Sequence, residues 1–232
     1  MKDPILDVIV SDIIQGLYKP GDKLPSENFL AEKYSTPRIK IRKAYEILED
    51  MGYIYSRQGK GRFLRPKHSK MELVINGNES FTQKARTQGL DLKTINIISQ
   101  KIEYNNKIFK VLNAEKNEDV YHIKLLRIIN KNPVAIHSSF IKGRLVPEIG
   151  VVKEKILSMY DFLKKSGFSK LESEKTIMSV TLPTLHEQEL LCCSPLVPLI
   201  LFESKTIDGQ KQILLYSKIL YRSDSFQYVI NH

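Results

Sequence analysis

Residues 34–51 read YSTPRIKIRKAYEILEDM, and this stretch decides how the rest of the chain is read. Ser35 and Thr36 are favourable N-cap residues, and Pro37 suits a first helical position because its missing N–H would have no partner there. Ile41, Ala44, Tyr45, Leu48 and Met51 then recur at helical spacing and form one apolar stripe. Arg38, Lys40, Arg42 and Lys43 fill the first two turns, whereas Glu46, Glu49 and Asp50 come late. That order opposes the helix dipole at a cost of a few tenths of a kcal/mol per charge, which an external anion would offset. The phosphate backbone of DNA is such an anion, and arginines also reach base edges. A solvated, salt-bridged surface helix would show the same charges, so the neighbouring segments have to discriminate.

The distribution of charge does so. The 232-residue chain carries a net +10, which suits a polyanionic partner. Residues 33–65 hold nine Lys/Arg against three Asp/Glu, 9 − 3 = +6, while residues 1–32 hold three bases and six acids, 3 − 6 = −3. The basic patch is local, as a DNA footprint should be. Upstream, Pro4 opens a helix with Ile5, Leu6, Ile9, Val10, Ile13 and Ile14 at spacings of three and four, and Gly16 ends it. Pro20-Gly21 is a turn, and Ser26 caps a second helix that runs to about Lys33. Two short helices with the second one basic at its start describe a helix-turn-helix. Downstream, residues 53–56 and 62–64 read as strands around a turn at 57–61, a hairpin wing whose tip joins Gly59 and Gly61 to Arg57, Lys60 and Arg62. Such a tip suits a minor groove.

The run LYKPGDKLPSENFLAEKY at 17–34 and PRIKIRKAYEILEDMGYIYSRQGKGRFL at 37–64 resembles the winged-helix domain of GntR-type bacterial transcription regulators. The likeness implies DNA contacts at Ser26, Thr36, Arg38, Lys40, Arg42, Arg57, Gly59, Lys60 and Gly61. Of these, Arg38 and Arg42 would enter the major groove, Lys60 and Gly61 would approach the minor groove, and Thr36 and Arg57 would meet phosphates. Pro37 departs from the serine usual in relatives and loses a hydroxyl that could touch phosphate. The expected domains are a winged helix over 1–65, a polar linker over 66–79, and a second domain over 80–232.

In that second domain strands are expected at 92–102, 120–129, 133–140, 173–182, 199–207, 213–221 and 226–230, with helices at 107–112, 158–165 and 185–191. Hairpins interrupted by helices predict an α+β fold on a mixed, largely antiparallel sheet. Residues 80–228 resemble the effector-binding UTRA domain of the HutC subfamily, which has a chorismate-lyase-like fold. The likeness rests on SFTQKARTQG at 80–89, LLRIINKNPVAIHSSFI at 125–141, SMYDFL at 158–163 and YRSDSFQY at 221–228. It implies an effector site at Ser80, Phe81, Thr82, Arg127, Ser158, Tyr160 and Tyr221, a set of helix-start amides, one guanidinium and hydroxyls that suits an anion. His137 and Leu215 occupy positions where sugar-binding relatives carry glutamates, and Leu125 stands where they carry a further arginine. The anion end is kept and the organic end rewritten, so the expected effector is a small phosphorylated metabolite, such as a sugar phosphate; a carboxylate would suit the same corner.

Catalytic and cofactor signatures are missing: there is no HExxH, GxSxG, P-loop or CxxC, and the histidines lack metal-ligand spacing. The adjacent Cys192 and Cys193 point to a reducing compartment, and no apolar run reaches the ~18 residues of a membrane span. The expected protein is a cytoplasmic, homodimeric, effector-responsive regulator, a repressor rather than an activator, reading a palindromic operator without a cofactor or metal. A rival reading is an enzyme acting on a chorismate-like or phosphorylated molecule, for which only His137 is a candidate acid or base.

Overall fold

The computed structural model describes residues 4–65, 70–74 and 79–229. The chain divides into two compact units, one comprising residues 1–69 with 182–189 and 193–197, the other the remainder.

The first unit opens with α1 (Pro4–Ile14), α2 (Glu27–Lys33) and α3 (Arg38–Asp50), followed by a hairpin of β1 (Ile54–Arg57) and β2 (Gly61–Leu64). The apolar stripes meet in one core: Ile5, Ile9 and Ile13 of α1 and Leu30 of α2 pack with Ile41, Ala44, Tyr45 and Leu48 of α3. The Tyr45 hydroxyl donates to the Pro25 carbonyl at 2.8 Å, so this buried phenol is satisfied. The PGDKL segment does more than turn. Leu24 N–H donates to Arg62 O and Leu64 N–H to Asp22 O, both at 2.9 Å, so Lys23 forms a single antiparallel bridge with Phe63 of the wing.

The start of α3 differs from expectation. Pro37 itself is the N-cap, with no side-chain cap bond. Ser35 instead sits at φ +47° and closes α2, its N–H donating to Glu32 O, while Thr36 N–H donates to Ala31 O. The turn that a helix-turn-helix requires consumes both residues the helix could have used as caps.

The second unit contains β3 (Met71–Val74), α4 (Phe81–Thr87), β4 (Leu92–Ile102), α5 (Asn106–Leu112), β5 (Val120–Ile129) and β6 (Asn132–Lys142). It continues with α6 (Ile149–Val152), α7 (Met159–Lys165), β7 (Glu172–Thr181), β8 (Leu199–Ile207), β9 (Ile213–Arg222) and β10 (Phe226–Val229). A further helix, α8 (Leu185–Leu191), lies between β7 and β8 in the chain. Six strands form an antiparallel sheet in the order β4-β5-β6-β9-β8-β7. The β5–β6 hairpin turns on Asn130 and Lys131, both at positive φ, as a tight primed turn demands. In the β8–β9 loop the left-handed residue is Lys211 rather than Gly209, because the Asp208 carboxylate accepts from Gln210 N–H and Gln212 N–H and sets the loop.

The expected linker also needs correction. Met71–Val74 is a strand, paired in parallel with β10 and burying Met71 and Leu73. Residues 66–69 and 75–78 of that stretch, and Ile230 of the expected last strand, lie outside the described residues. Among the described residues no helix is long and apolar enough to cross a membrane.

Candidate functional site

Two surfaces carry the candidate chemistry. On the first unit, Arg38, Lys40, Arg42 and Lys43 are exposed on α3, opposite the buried stripe. Arg38 and Arg42 lie four residues apart, hence on one face. Arg57, Gly59, Lys60 and Gly61 form the exposed wing tip, with the Arg57 guanidinium over the rings of Tyr55 and Phe63. Thr36 is half-buried in the turn, and the Ser26 hydroxyl is engaged as the α2 cap, accepting from Phe29 N–H at 3.2 Å.

Glu27 is the functional neighbour that sequence reasoning missed. Its carboxylate accepts from Arg38 Nε at 2.8 Å and from Arg62 Nη1 at 2.6 Å, joining the first turn of α3 to the wing. Burial alone would raise the Glu27 pKa, but hydrogen bonds from Arg62 and Arg38 outweigh it and hold the group below its ordinary value. Part of the adverse charge order on α3 is therefore compensated inside the protein. Glu49 makes a second tie, accepting from the N–H and the hydroxyl of Ser56, each at 2.8 Å. Arg38 and the wing are thus held as one basic surface, while the first N–H groups of α3 have no side-chain cap and remain available to an anion.

The second unit contains an open cavity of about 170 Å³. Ser80, Phe81, Arg127, His137, Ser158, Tyr160, Leu215 and Tyr221 all line it. Thr82 does not, because one helical step turns it about 100° away from Phe81. Arg127 is buried, with Nη1 donating to Thr94 Oγ1 at 2.6 Å and to Leu157 O at 2.8 Å. Its guanidinium lies 5.5 Å from the Phe81 ring centroid. Burial lowers its pKa to about 10, against the opposing pull of Tyr221 and Asp161, so it remains a cation at neutral pH. Ser80 and Ser158 cap α4 and α7 by accepting from Gln83 N–H and Asp161 N–H. His137 is buried against the rings of Phe81 and Tyr221, at 5.0 and 5.6 Å, and its Nε2 has no hydrogen-bond partner among the described residues. Burial, then the nearby Arg127, drives its pKa well below the ordinary value and keeps the ring neutral. Tyr221 is pushed up by burial and stays a neutral phenol.

Sequence reasoning missed other members of the lining: Lys84, Ser139, Ser204, Thr206, Ser217 and Tyr228. The Lys84 ammonium donates to Val74 O at 2.6 Å, and burial lowers its pKa. The available signal was alternation. Ser139 stands two residues beyond His137 and Ser217 two beyond Leu215, so each serine shares a face with a residue already assigned to the site.

A winged helix with a basic face, together with an α+β unit whose cavity is lined by a buried arginine, defines the class of ligand-responsive DNA-binding regulators. The chain matches the UTRA domain family over residues 87–227 and the family described as bacterial regulatory proteins, gntR family, over residues 2–64. It belongs to the gntR-family transcription regulators that carry a UTRA domain. It is 25% identical to the HTH-type transcriptional repressor NagR of Bacillus subtilis, over 97% of this chain and 91% of that protein. It is 26% identical to the "Probable fructoselysine utilization operon transcriptional repressor" of Escherichia coli K12, over the same shares of each chain. Among solved structures, PhnF from Mycobacterium smegmatis shares the fold, with a TM-score of 0.64 at 19% identity and 98% of both chains covered.

Proposed function

We propose that the protein is a homodimeric transcriptional repressor whose operator affinity is set by a small phosphorylated metabolite, and that it has no catalytic activity. Two copies of α3 and its wing would read the halves of a palindromic site. Arg38 and Arg42 would face base edges, Lys60 and Gly61 the minor groove, and Thr36 and Arg57 the phosphates. The repressor names borne by relatives that align over nearly the whole chain support the direction of control. One observation carries the effector reading: a permanently charged, buried Arg127 opens on the same cavity as two helix-capping serines and Tyr160. Bound effector would favour one spacing of the two heads and so change operator affinity. The compartment is the cytoplasm, where the operator lies.

The test uses operator duplexes selected from random sequence by the protein itself. Arg38→Ala should weaken specific binding by about 1–3 kcal/mol in fluorescence anisotropy. Affinity unchanged by that substitution would remove α3 from recognition, and steady turnover of any bound metabolite would favour an enzyme instead.

A further inference from the structure

Among residues 4–65 five large apolar side chains remain exposed: Val8, Ile14, Leu17, Phe29 and Ile39. Ile39 differs from the other four in lying on α3, in its first turn and among its cations. At about 100° per residue it stands about 160° around the helix from Ile41, whose side chain is fully buried. Taken in angular order, the outward arc of the first two turns reads Arg38, Arg42, Ile39, Lys43, Lys40. Ile39 is the midpoint of that arc, with two cations on each side. It is 68% exposed and lies outside the core that Ile41, Ala44, Tyr45 and Leu48 build. A surface isoleucine standing alone would mean nothing. One set at the centre of a cationic face is different, because phosphates drawn to the flanks bring a duplex against it.

The residue is also firmly mounted. Arg38 on one flank is tied to Glu27 at 2.8 Å, and the Arg42 guanidinium is engaged by Glu46 at 3.0 Å. Isoleucine has one strongly preferred χ1 rotamer in a helix, so it loses little freedom when it meets a surface. The residues at the start of a recognition helix are the ones that meet base edges in the major groove. There guanine and adenine present the N7 acceptor, cytosine presents an amino donor, and thymine alone presents a methyl group. An aliphatic side chain pressed on N7 or on the amino group would dehydrate it and leave it unpaired, whereas against the thymine methyl both partners leave water at no such cost.

We infer that Ile39 determines operator specificity by packing against the 5-methyl group of a thymine in the major groove. The inference rests on the DNA-reading role proposed for α3 above. It assigns to the middle of the basic arc a contact that carries no charge and makes no hydrogen bond, while the cations on either side hold the duplex and read its polar edges.

The test is a cycle of protein and DNA changes read by fluorescence anisotropy, with full-length protein and the operator it selects from random sequence. Each thymine of a half-site is replaced in turn by 2′-deoxyuridine, which keeps the base pair and its polar groove pattern and removes only the methyl. At one position the replacement should weaken wild-type binding about fourfold, the effect of one methyl group withdrawn from water. Ile39→Ala should bind the thymine operator several-fold more weakly and show no penalty at that position, while penalties at any other thymine stay as they were. The variant should fold, since residue 39 lies outside the core and alanine is the better helix former. Should it lose operator binding altogether, Ile39→Val is read by the same criterion, with a penalty at that position smaller than that of the wild type. Wild-type binding indifferent to every replacement, or a penalty that the substitutions at residue 39 leave unchanged, would overturn the methyl contact while operator binding and its loss in Arg38→Ala stand. Failure to select any operator, or an operator bound equally well by Arg38→Ala, would overturn the reading of α3 and this inference with it.

Discussion

Glu27 shows how much of a recognition surface rests on one residue. Its carboxylate accepts from Arg38 on α3 and Arg62 on β2, and the Arg62 guanidinium lies 5.0 Å from the Tyr45 ring centroid. Glu27→Gln removes the charge and leaves the partly buried Arg62 without a counter-ion, at a cost of about 1–2 kcal/mol at neutral pH. The sign with pH follows from the lowered folded-state pKa. Stability from this carboxylate is present above its ordinary value near 4.5 and is lost as pH falls through the lower folded value. Urea unfolding of the wild type and of Glu27→Gln should differ at pH 7 and converge below about pH 4. A difference that persists at pH 3 would place the cost elsewhere. Glu27 was invisible as a tie because nothing in PGDKLPSE says that its partner Arg62 lies on a strand 35 residues away. Ser35 taught the same lesson in reverse: its cap propensity was legible, but the turn it serves was set by α2, α3 and their shared core.

Element by element, the sequence was most readable where local patterning and packing agree. Helices α1 and α3 carry apolar residues at helical spacing and bury most of each stripe, Ile5, Ile9 and Ile13 in α1 and Ile41, Ala44, Tyr45 and Leu48 in α3, whereas Ile14 at the end of α1 is exposed. The long antiparallel hairpin strands are punctuated by Asn130–Asn132 and by Asp208. Strand β3 was not readable: four residues cannot establish a period, and its partner β10 lies more than 150 positions away, in parallel. Eight residues of the cavity lining were named because they sit in motifs, and Ser139 and Ser217 were legible by alternation, whereas Ser204 and Thr206 needed an inter-strand register that no local pattern encodes. The wing offers an element-scale prediction. Gly61 has φ +108°, a conformation open to glycine and strained for an L side chain, and an added Cβ would meet Lys23 Cε at 2.9 Å. The lysine tip can move away, so the backbone decides, at about 1–3 kcal/mol. Gly61→Ala should lower the unfolding midpoint of the first unit and weaken operator binding, while Gly59→Asn, at φ +71°, should be far milder. Equal effects of the two substitutions would show that wing conformation is not the determinant.

Across the whole molecule the two units answer acid differently, because each buries a different kind of titrating group. In the second unit His137 is neutral and buried beside Phe81, Tyr221 and the cationic Arg127. On the opposite face of the sheet His122 stacks on Phe140 at 4.4 Å, and burial, then Lys124, lowers its pKa to about 4. Neither ring takes up a proton at pH 5.5 while folded, but both do so once unfolded, near the ordinary value of 6.5. The unfolded chain then binds more protons, so stability rises with pH, with a slope approaching about 1.4 kcal/mol per pH unit for each histidine. The loss should begin near pH 6.5 and continue down to about pH 4 for His122. The first unit, whose acid-sensitive tie is Glu27, should hold until the pH falls below about 4.5. Urea titrations at pH 7, 6, 5 and 4, followed by amide hydrogen exchange so that each unit is read separately, should show protection in β5, β6 and β9 falling two pH units before protection in α3 does. His122→Gln and His137→Gln should each flatten the slope of the second unit by about one proton whatever they do to its midpoint, since slope counts protons and midpoint counts packing. A second unit equally stable at pH 7 and pH 5, or a slope unmoved by both substitutions, would mean that these imidazoles find partners or water in solution.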